Sequence, residues 1–247
     1  MSLSTNPKQP SLDIVFEDES LIVINKPSGV VVNISDTTPS GTIQDEIHRV
    51  YGEDLGGKAE VGSEFYNRAG IVHRLDKDTS GVMLVAKDED SFLNLKNQFK
   101  DRVIEKEYQA VALGEMSDPI IEVDAPIARN PEHRTRMAIV DKGRKAETRF
   151  EAQEVVDFGD EKLSIVRCYP KTGRTHQIRV HLAALKNPVI ADPIYMTRKQ
   201  FEQFEPSFDR LMLHAFKIRF NHPKTNKELF YEAPLPKVFT EICSKSH

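Results

Sequence analysis

The chain has 247 residues, of which 39% are hydrophobic and 29% charged, a composition ordinary for a globular protein with a buried core. No apolar run is long enough to cross a bilayer, and the first residues lack the pattern of a signal peptide, so we expect a soluble cytoplasmic protein. The two cysteines, Cys168 and Cys243, are far apart and have no metal-like spacing, which argues against a disulfide framework and a cysteine-based zinc site.

Charge is distributed unevenly along the chain. The net charge is −4, but residues 1–65 contain eleven acidic and four basic residues, so the remainder is positive. Residues 129–149 contain seven basic and three acidic residues, and residues 167–181 contain four basic residues and no acid. A phosphate responds to charge within a Debye length of roughly 8 Å. These two segments therefore predict a surface that binds a polyanion, despite the negative total.

The N-terminal half alternates short strands, turns and two helices. In chain order, the patterns predict a hairpin of residues 12–16 and 21–25, a turn at 26–29, an extended segment at 30–32, a helix from the cap Thr42 to Tyr51, a loop over 52–67, a buried strand at 82–86, and an amphipathic helix at 89–100 capped by Asp88.

Strands dominate the C-terminal half. The patterns predict strands at 106–113, 147–156, 163–168, 210–220 and 228–232, a turn at 157–160, a turn at 171–174, and a helix that Thr175 or His176 opens and Asn187-Pro188 ends. There is no internal repeat and no clear linker. We therefore predict an α+β fold, with a mixed, largely antiparallel sheet flanked by a few helices and loops. A single domain over 12–247 would follow an N-terminal tail over 1–11.

The segment from Ile71 to Ala86 is the strongest candidate for a catalytic site, because it passes from polar residues into a buried strand that would fix the loop in position. Asp76 is our candidate nucleophile, although an aspartate at such a junction often forms a local salt bridge or turn cap. Taken alone, Tyr108 is more typical of a half-buried aromatic residue in a strand than of a catalytic group. Arg179 lies in the first turns of a helix, where the dipole does not favour it, which indicates a carboxylate or phosphate partner.

Four sequence motifs give the strongest indication of function. Residues 73–81 read H-R-L-D-K-D-T-S-G and resemble the signature H-R-L-D-x-x-T-S-G of the RluA-type pseudouridine synthase family. Asn25-Lys26-Pro27-Ser28-Gly29 resembles its N-K-P-x-G segment, Lys106-Glu107-Tyr108 its K-x-Y strand, and residues 172–181 its T-G-R-T-H-Q-I-R-V-H segment. Shorter C-terminal matches extend the resemblance over about residues 12–238, nearly the whole chain.

The resemblance implies the pseudouridine synthase fold and an enzyme that needs no cofactor and no metal. By its motifs, Asp76 attacks the target uridine, Tyr108 stacks on the uracil and Arg179 pairs with Asp76. Whether the attack falls on ribose C1′ or base C6, or the carboxylate removes the 2′ proton, stays open. The candidate RNA-binding residues are Arg74, Arg129, Arg134, Arg136, Lys171, Arg174 and His176.

The implied substrate is specific uridines in structured RNA, reached by base flipping; ribosomal RNA is favoured and transfer RNA is possible. Many relatives carry a small N-terminal RNA-binding domain of the S4 type, whereas about a dozen residues precede the first predicted strand here. We therefore expect recognition to come from the catalytic domain. A monomer is the simplest expectation, with no membrane association.

Three other functions are compatible with parts of this pattern. The first is a non-catalytic RNA-binding or ribosome-assembly protein of the same fold. The second is a cofactor-free glycosidic hydrolase, which would need paired carboxylates; Asp76 and Asp78 would point in opposite directions in an extended segment. The third is a metal nuclease, which is disfavoured because no Asp/Glu/His cluster is visible.

Overall fold

A nine-stranded sheet organises the protein. The computed structural model describes residues 11–243, with Cys243 described by its backbone alone, so the tail expected over 1–11 lies outside this range apart from Ser11. The strands are β1 Ile14–Glu17, β2 Leu21–Lys26, β3 Ser80–Ala86, β4 Glu105–Leu113, β5 Ile120–Asp124, β6 Ile127–Arg129, β7 Met137–Ile139, β8 Glu147–Phe158, β9 Glu161–Pro170, β10 Leu213–Asn221 and β11 Glu228–Glu232. The helices are α1 Ile43–Tyr51, α2 Glu64–Asn67, α3 Glu89–Lys100, α4 Gln177–Ala184, α5 Arg198–Phe204 and α6 Lys237–Cys243.

The sheet is mixed and largely antiparallel, as the sequence predicted. Its order is β1-β2-β3-β10-β4-β9-β8-β5, and β11 pairs with β10 outside this path. Only the pairing of β10 with β3 is parallel, while β10 and β4 are antiparallel. The short strands β6 and β7 form a separate antiparallel pair. A strand from near the end of the described chain therefore joins the two halves of the sheet.

The junction of β3 and β10 requires a glycine. Gly81 has a φ of +118°, a value that L side chains rarely adopt, and a Cβ atom there would collide with the backbone of Ala215. The two residues are paired in register across the strands. This close approach fixes the end of the loop that carries Asp76 at the centre of the sheet.

Among residues 11–243, the buried apolar side chains form two large clusters and a third small one. The first contains the apolar residues of β2 and β3 together with those of α1 and α3. The second contains the apolar residues of β4, β9 and α4. Tyr108 packs against both clusters. A residue that the motif resemblance assigns to the active site therefore contacts both large clusters.

Local capping signals placed two helices correctly. Thr42 caps α1, forming a reciprocal capping box with Asp45, and Asp88 caps α3 by accepting a hydrogen bond from Ser91 N–H. These bonds satisfy N–H groups that have no partner inside the helix. Helix α4 begins differently, because His176 precedes it in a left-handed conformation (φ +57°) and gives no side-chain cap.

Several sequence-based expectations are wrong in detail. Residues 30–32 form no strand, because the carbonyls of Val31 and Val32 accept hydrogen bonds from the first two N–H groups of α1. The loop over 52–67 contains helix α2, and the strand expected from Arg210 begins at Leu213. Strands β5, β6 and β7 and helices α5 and α6 were not foreseen. No helix among residues 11–243 is long and apolar enough to span a membrane.

Candidate active site

Lys26 anchors the loop that carries Asp76, which we call the catalytic loop after the candidate role of Asp76. This lysine is completely buried, and its Nζ donates hydrogen bonds to the carbonyls of Pro27 (2.8 Å), Val30 (2.7 Å) and Lys77 (2.9 Å). Two of these carbonyls belong to the loop after β2 and one to the residue after Asp76. The N-K-P-S-G segment therefore holds the catalytic loop by hydrogen bonds to its backbone.

A tight turn follows Asp76. Thr79 N–H donates to the Asp76 carbonyl over 3.2 Å, and Ser28 Oγ donates to the Asp78 carbonyl over 2.6 Å. The segment is therefore a turn here and not the extended arrangement considered above for the two carboxylates. Asp76 and Asp78 nevertheless line different cavities, which separates Asp78 from the candidate nucleophile.

The contacts of His73, the first residue of the signature, indicate a structural role. Its Nε2 accepts a hydrogen bond from the Leu84 N–H (2.9 Å), and its ring lies 4.5 Å from that of Phe99. Burial, assisted by the charge of Lys106, lowers the pKa of His73 to about 3. The neutral ring therefore ties the start of the catalytic loop to β3.

Asp76, Tyr108 and Arg179 come together around one cavity of about 130 Å³. The Asp76 side chain is 21% exposed, and its Oδ2 lies 3.6 Å from Arg179 Nη1 and 4.0 Å from His176 Nε2. A reacting group in this cavity would meet a carboxylate with one permanent cation and one imidazole beside it. The three residues chosen as catalytic from the motifs thus share a single site.

The main partner of Arg179 is Asp192, a residue that the motifs did not identify. Arg179 Nε and Nη2 donate to Oδ2 and Oδ1 of Asp192 over 2.7 and 2.8 Å, and both side chains are buried. The backbone N–H groups of Ile194 and Tyr195 also donate to Oδ1. These contacts with Asp192 raise the pKa of Arg179 against the opposing effect of burial. The fork fixes the guanidinium plane and leaves Nη1 directed towards Asp76.

Tyr195 contacts both Arg179 and His176, the two side chains that lie beside Asp76. Its ring centroid lies 5.2 Å from Arg179 Cζ, and its Oη lies 2.9 Å from His176 Nδ1 while accepting a hydrogen bond from Met137 N–H (3.0 Å). The segment from Asp192 to Tyr195 thus orients two side chains that face Asp76. The only sequence signal for this segment is a lone aspartate that ends the apolar run 189–191.

His176 lies beside Asp76 rather than on the outer surface. Burial lowers the pKa of its ring below the ordinary value, against the opposing charge of Asp76. The imidazole is therefore neutral at neutral pH, with one ring nitrogen as donor and one as acceptor. The RNA-binding role implied by the motif resemblance would be exercised inside the cavity.

Tyr108 lines the same cavity from the middle of the sheet. Burial and the charge of Asp76 raise the pKa of its hydroxyl above the usual range, so the phenol stays protonated at neutral pH. A neutral, half-buried ring offers a flat face for a base and a hydroxyl that can donate or accept a hydrogen bond.

The RNA-binding candidates fall into two groups. Arg74 and Arg174 line the cavity, and Lys171 is exposed next to it. Arg174 Nε donates to the Lys145 carbonyl over 2.9 Å, which holds this side chain at the rim. All three cations thus lie in or beside the cavity that Asp76 lines.

The second group lies on the hairpin of β6 and β7. Arg129, Arg134 and Arg136 are all exposed, none of them lines the cavity, and Arg129 Nη1 donates to the Arg134 carbonyl over 2.8 Å. The hairpin is nevertheless connected to the site, because Met137 donates to Tyr195. It forms a basic projection beside the active site rather than part of its wall.

Comparisons with known proteins identify the family of this chain. Residues 20–184 match the family described as RNA pseudouridylate synthase. The chain is 37% identical over 228 residues to ribosomal large subunit pseudouridine synthase D of Nitrosomonas europaea, covering 91% of this chain and 62% of that protein. It is 39% identical over 244 residues to the protein of the same name from Escherichia coli O6:H1, covering 96% of this chain and 71% of that protein.

The fold is shared as well. The solved structure of human RNA Pseudouridylate Synthase Domain Containing 1 superposes with a TM-score of 0.71 at 26% identity, covering 94% of this chain and 86% of that one. The sequence family, the relatives and the fold therefore agree with one another. The chain belongs to the RNA pseudouridylate synthase family.

Proposed function

We propose that this protein isomerises specific uridines in structured RNA to pseudouridine. The observation that carries the proposal is the convergence of a carboxylate, a fixed guanidinium and a neutral phenol on one cavity, through Asp76, Arg179 and Tyr108. The isomerisation breaks the C1′–N1 bond of uridine and forms a C1′–C5 bond. C5 loses a proton and N1 gains one, so the reaction needs no oxidant and no co-reactant.

Each of the three residues has a role that its environment supports. Asp76 acts on the uridine, and Arg179 supplies its counter-charge within 3.6 Å. Tyr108 holds the detached uracil by stacking while it turns, with its hydroxyl available to the C5 proton. The three routes for Asp76, through C1′, through C6 or through the 2′ proton, all place the carboxylate beside the sugar and the base.

The recessed position of Asp76 favours base flipping. A uridine paired or stacked in RNA has to leave its helix to reach a half-buried carboxylate, at a cost of a few kcal/mol. Arg74, exposed at the mouth of the cavity, would fill the vacated space or bind the adjacent phosphate. Contacts between the RNA backbone and the basic rim would offset the cost.

Ribosomal RNA is the favoured substrate, and transfer RNA is possible. The curated relatives described above carry names that refer to the large ribosomal subunit. The chain spans 62% of the length of one of them and 71% of the other, so the target is a proposal for this chain. We propose that it acts in the cytoplasm as a monomer.

The test is pseudouridine mapping of ribosomal and transfer RNA from cells with and without the protein, and from cells that carry Asp76→Asn. We expect the missing pseudouridines to stay absent with Asp76→Asn, because an amide is neither a nucleophile nor a base, while RNA affinity persists. Asp78→Asn is the matched control, since Asp78 lines a different cavity, and it should restore the modification.

The main alternative is an RNA-binding or ribosome-assembly protein that does not catalyse. It predicts identical pseudouridine maps with and without the protein. Restoration of the modification by Asp76→Asn would refute the role of the carboxylate instead. A glycosidic hydrolase gains no support, because the buried carboxylate Asp192 has both oxygens occupied by Arg179 and backbone N–H groups.

A further inference from the structure

A second and larger cavity lies beside the active site. It encloses about 610 Å³, within the range of about 300–1,000 Å³ typical of ligand sites, and it is formed where β4 begins and β9 ends. We call it the outer cavity; Tyr169, Lys106 and Lys171 are the lining residues that matter below. It shares Lys106 and Pro170 with the cavity of Asp76, so the two spaces adjoin.

The charges in the outer cavity favour an anion. Four basic and two acidic side chains line it. Arg102 and Arg149 each have a glutamate within 3.8 Å, at 3.8 and 2.7 Å. Among the described residues, Lys106 and Lys171 have no carboxylate within 4.0 Å, and Lys106 Nζ makes only a 3.5 Å contact with the Thr172 carbonyl. Two ammonium groups are thus available to a phosphate.

The cavity also offers an aromatic surface without a partner. Tyr169 is half-buried, and its hydroxyl makes a 3.4 Å contact with Glu151. Within residues 11–243, no other aromatic ring stacks on Tyr169 and no cation lies over its face. Aromatic side chains beside unpaired cations are the combination that single-stranded nucleic acid requires.

The path between the two cavities is short and basic. Tyr108 of β4 pairs with Cys168 of β9, so these two side chains lie on the same face of the sheet. Tyr169, the next residue of β9, therefore points to the opposite face. The two cavities meet at the ends of these strands. From there the loop continues through Lys171, on the outer cavity, to Arg174, on the active-site cavity. Three residues of extended chain span at most about 11 Å. One strand of RNA can therefore follow this rim from one cavity to the other.

We propose that the outer cavity binds a nucleotide that flanks the target uridine, with its base on Tyr169 and its phosphate between Lys106 and Lys171. This inference rests on the proposed function in that RNA is the ligand. Stacking accepts any base, so the site contributes affinity and the direction of the strand rather than sequence selectivity. Burial and the charge of Arg102 lower the pKa of Lys106 to about 8, and a neighbouring phosphate would favour its ammonium form.

The experiment measures binding of fluorescein-labelled heptauridylate to Asp76→Asn protein by anisotropy, at several salt concentrations. We expect Tyr169→Leu to raise the Kd by about 5- to 150-fold, the range of one base–aromatic stack, and Tyr169→Phe to restore it. Lys171→Gln should reduce the slope of log Kd against log salt by about 0.7, the loss of one phosphate contact. Tyr66→Leu, on α2 and outside both cavities, is the control for losing a tyrosine.

Measuring both RNA binding and pseudouridine formation distinguishes failure of this inference from failure of the proposed function. If pseudouridine is formed but Tyr169→Leu and Tyr169→Phe bind the heptamer equally, the inference is overturned and the function stands. If no pseudouridine is formed but Tyr169→Leu alone weakens binding, the inference stands and the function fails. Absence of heptamer binding by Asp76→Asn protein that melts at the usual temperature also overturns the inference.

Discussion

The orientation of Arg179 depends on Asp192. The bidentate contact uses Nε and Nη2 at 2.7 and 2.8 Å, so the third nitrogen is the one left to face Asp76. A buried guanidinium without a partner would cost several kcal/mol, and a mobile one would not present its charge at a fixed place. We therefore infer that Asp192 is a positioning residue for Asp76, acting through Arg179.

We predict that Asp192→Asn lowers the rate of pseudouridine formation and the stability together. The asparagine side chain has one carbonyl oxygen and one NH2 group, so it can accept only one of the two hydrogen bonds from Arg179. Its NH2 group would face the other N–H donor of Arg179, so Arg179 shifts. A displacement of about 1 Å costs about 100-fold in rate, and breaking a buried ion pair costs about 3–5 kcal/mol. Single-turnover kinetics on RNA and unfolding in urea would measure the two effects.

The exposed pair Arg198–Glu202 provides the control for this prediction. Its atoms are closer, at 2.6 Å, but its side chains are 91% and 57% exposed. Glu202→Gln should leave both measurements unchanged, since exposed pairs contribute little. A wild-type rate in Asp192→Asn would show that the ring of Tyr195 suffices to position Arg179.

Single residues of the site were predictable to different degrees. Asp76, Tyr108 and Arg179 belong to contiguous motifs, and the structure brings all three to one cavity. Asp192 and Tyr195 lie in an irregular loop where no periodicity or spacing marks them. Their importance arises from burial and from contacts across the fold, which a single sequence does not display.

At the scale of elements, the catalytic loop depends on the buried ammonium of Lys26. Three carbonyl groups, from the loop after β2 and from Lys77, accept its three N–H donors. Burial lowers its pKa to about 7, opposed by the charges of Asp78 and Asp76. Lys26 thus holds the two loops together next to the turn that follows Asp76.

We predict that Lys26→Met loosens the catalytic loop and lowers activity. Methionine keeps an unbranched apolar stem but leaves the carbonyls of Pro27, Val30 and Lys77 without donors. A buried polar group left unsatisfied costs about 1–3 kcal/mol. We expect lower stability, faster amide exchange of Thr79, whose N–H bonds to the Asp76 carbonyl, and slower turnover. Hydrogen exchange and single-turnover kinetics would test this.

Lys77→Met is the matched control, because the Lys77 side chain is exposed and only its carbonyl takes part in the anchor. Stability and amide exchange should stay as in the wild type. Equal exchange of Thr79 in Lys26→Met and wild-type protein would mean that Ser28 alone holds the loop.

Elements with local signals were predicted well, and those defined by tertiary pairing were not. Helices α1 and α3 begin where their caps, Thr42 and Asp88, predicted. Strands β6 and β7 have three residues each, which is too short for a periodic pattern to be detected. The parallel pairing of β10 with β3 depends on the approach of Gly81 to Ala215, which no local pattern encodes.

For the molecule as a whole, β10 joins the halves that contribute Asp76 and Tyr108. A buried histidine of β10, His214, helps to hold this junction. Its Nε2 contacts the Ala233 carbonyl (3.2 Å), which can only accept, so Nε2 carries the proton. Nδ1 therefore accepts from Ser80 Oγ (2.6 Å), which in turn accepts from Arg210. Burial, together with the charge of Arg210, lowers the pKa of His214 to about 4.

We predict that lowering the pH destabilises this junction before most carboxylates become protonated. Between pH 6.5 and 4 the unfolded chain binds a proton at residue 214 that the native protein does not, so stability falls as the pH is lowered through this range. The contribution of His214 to this slope approaches about 1.4 kcal/mol per pH unit, and His73, whose pKa burial also lowers, adds to the total. Urea unfolding at pH 7.0, 6.0 and 5.0 would measure it, and His214→Gln should remove this share of the slope while lowering stability at pH 7. His133→Gln, at an exposed position between β6 and β7, should leave the slope unchanged. A slope equal in wild-type and His214→Gln protein would mean that other groups cause the acid sensitivity and that His214 accepts a proton within the folded junction.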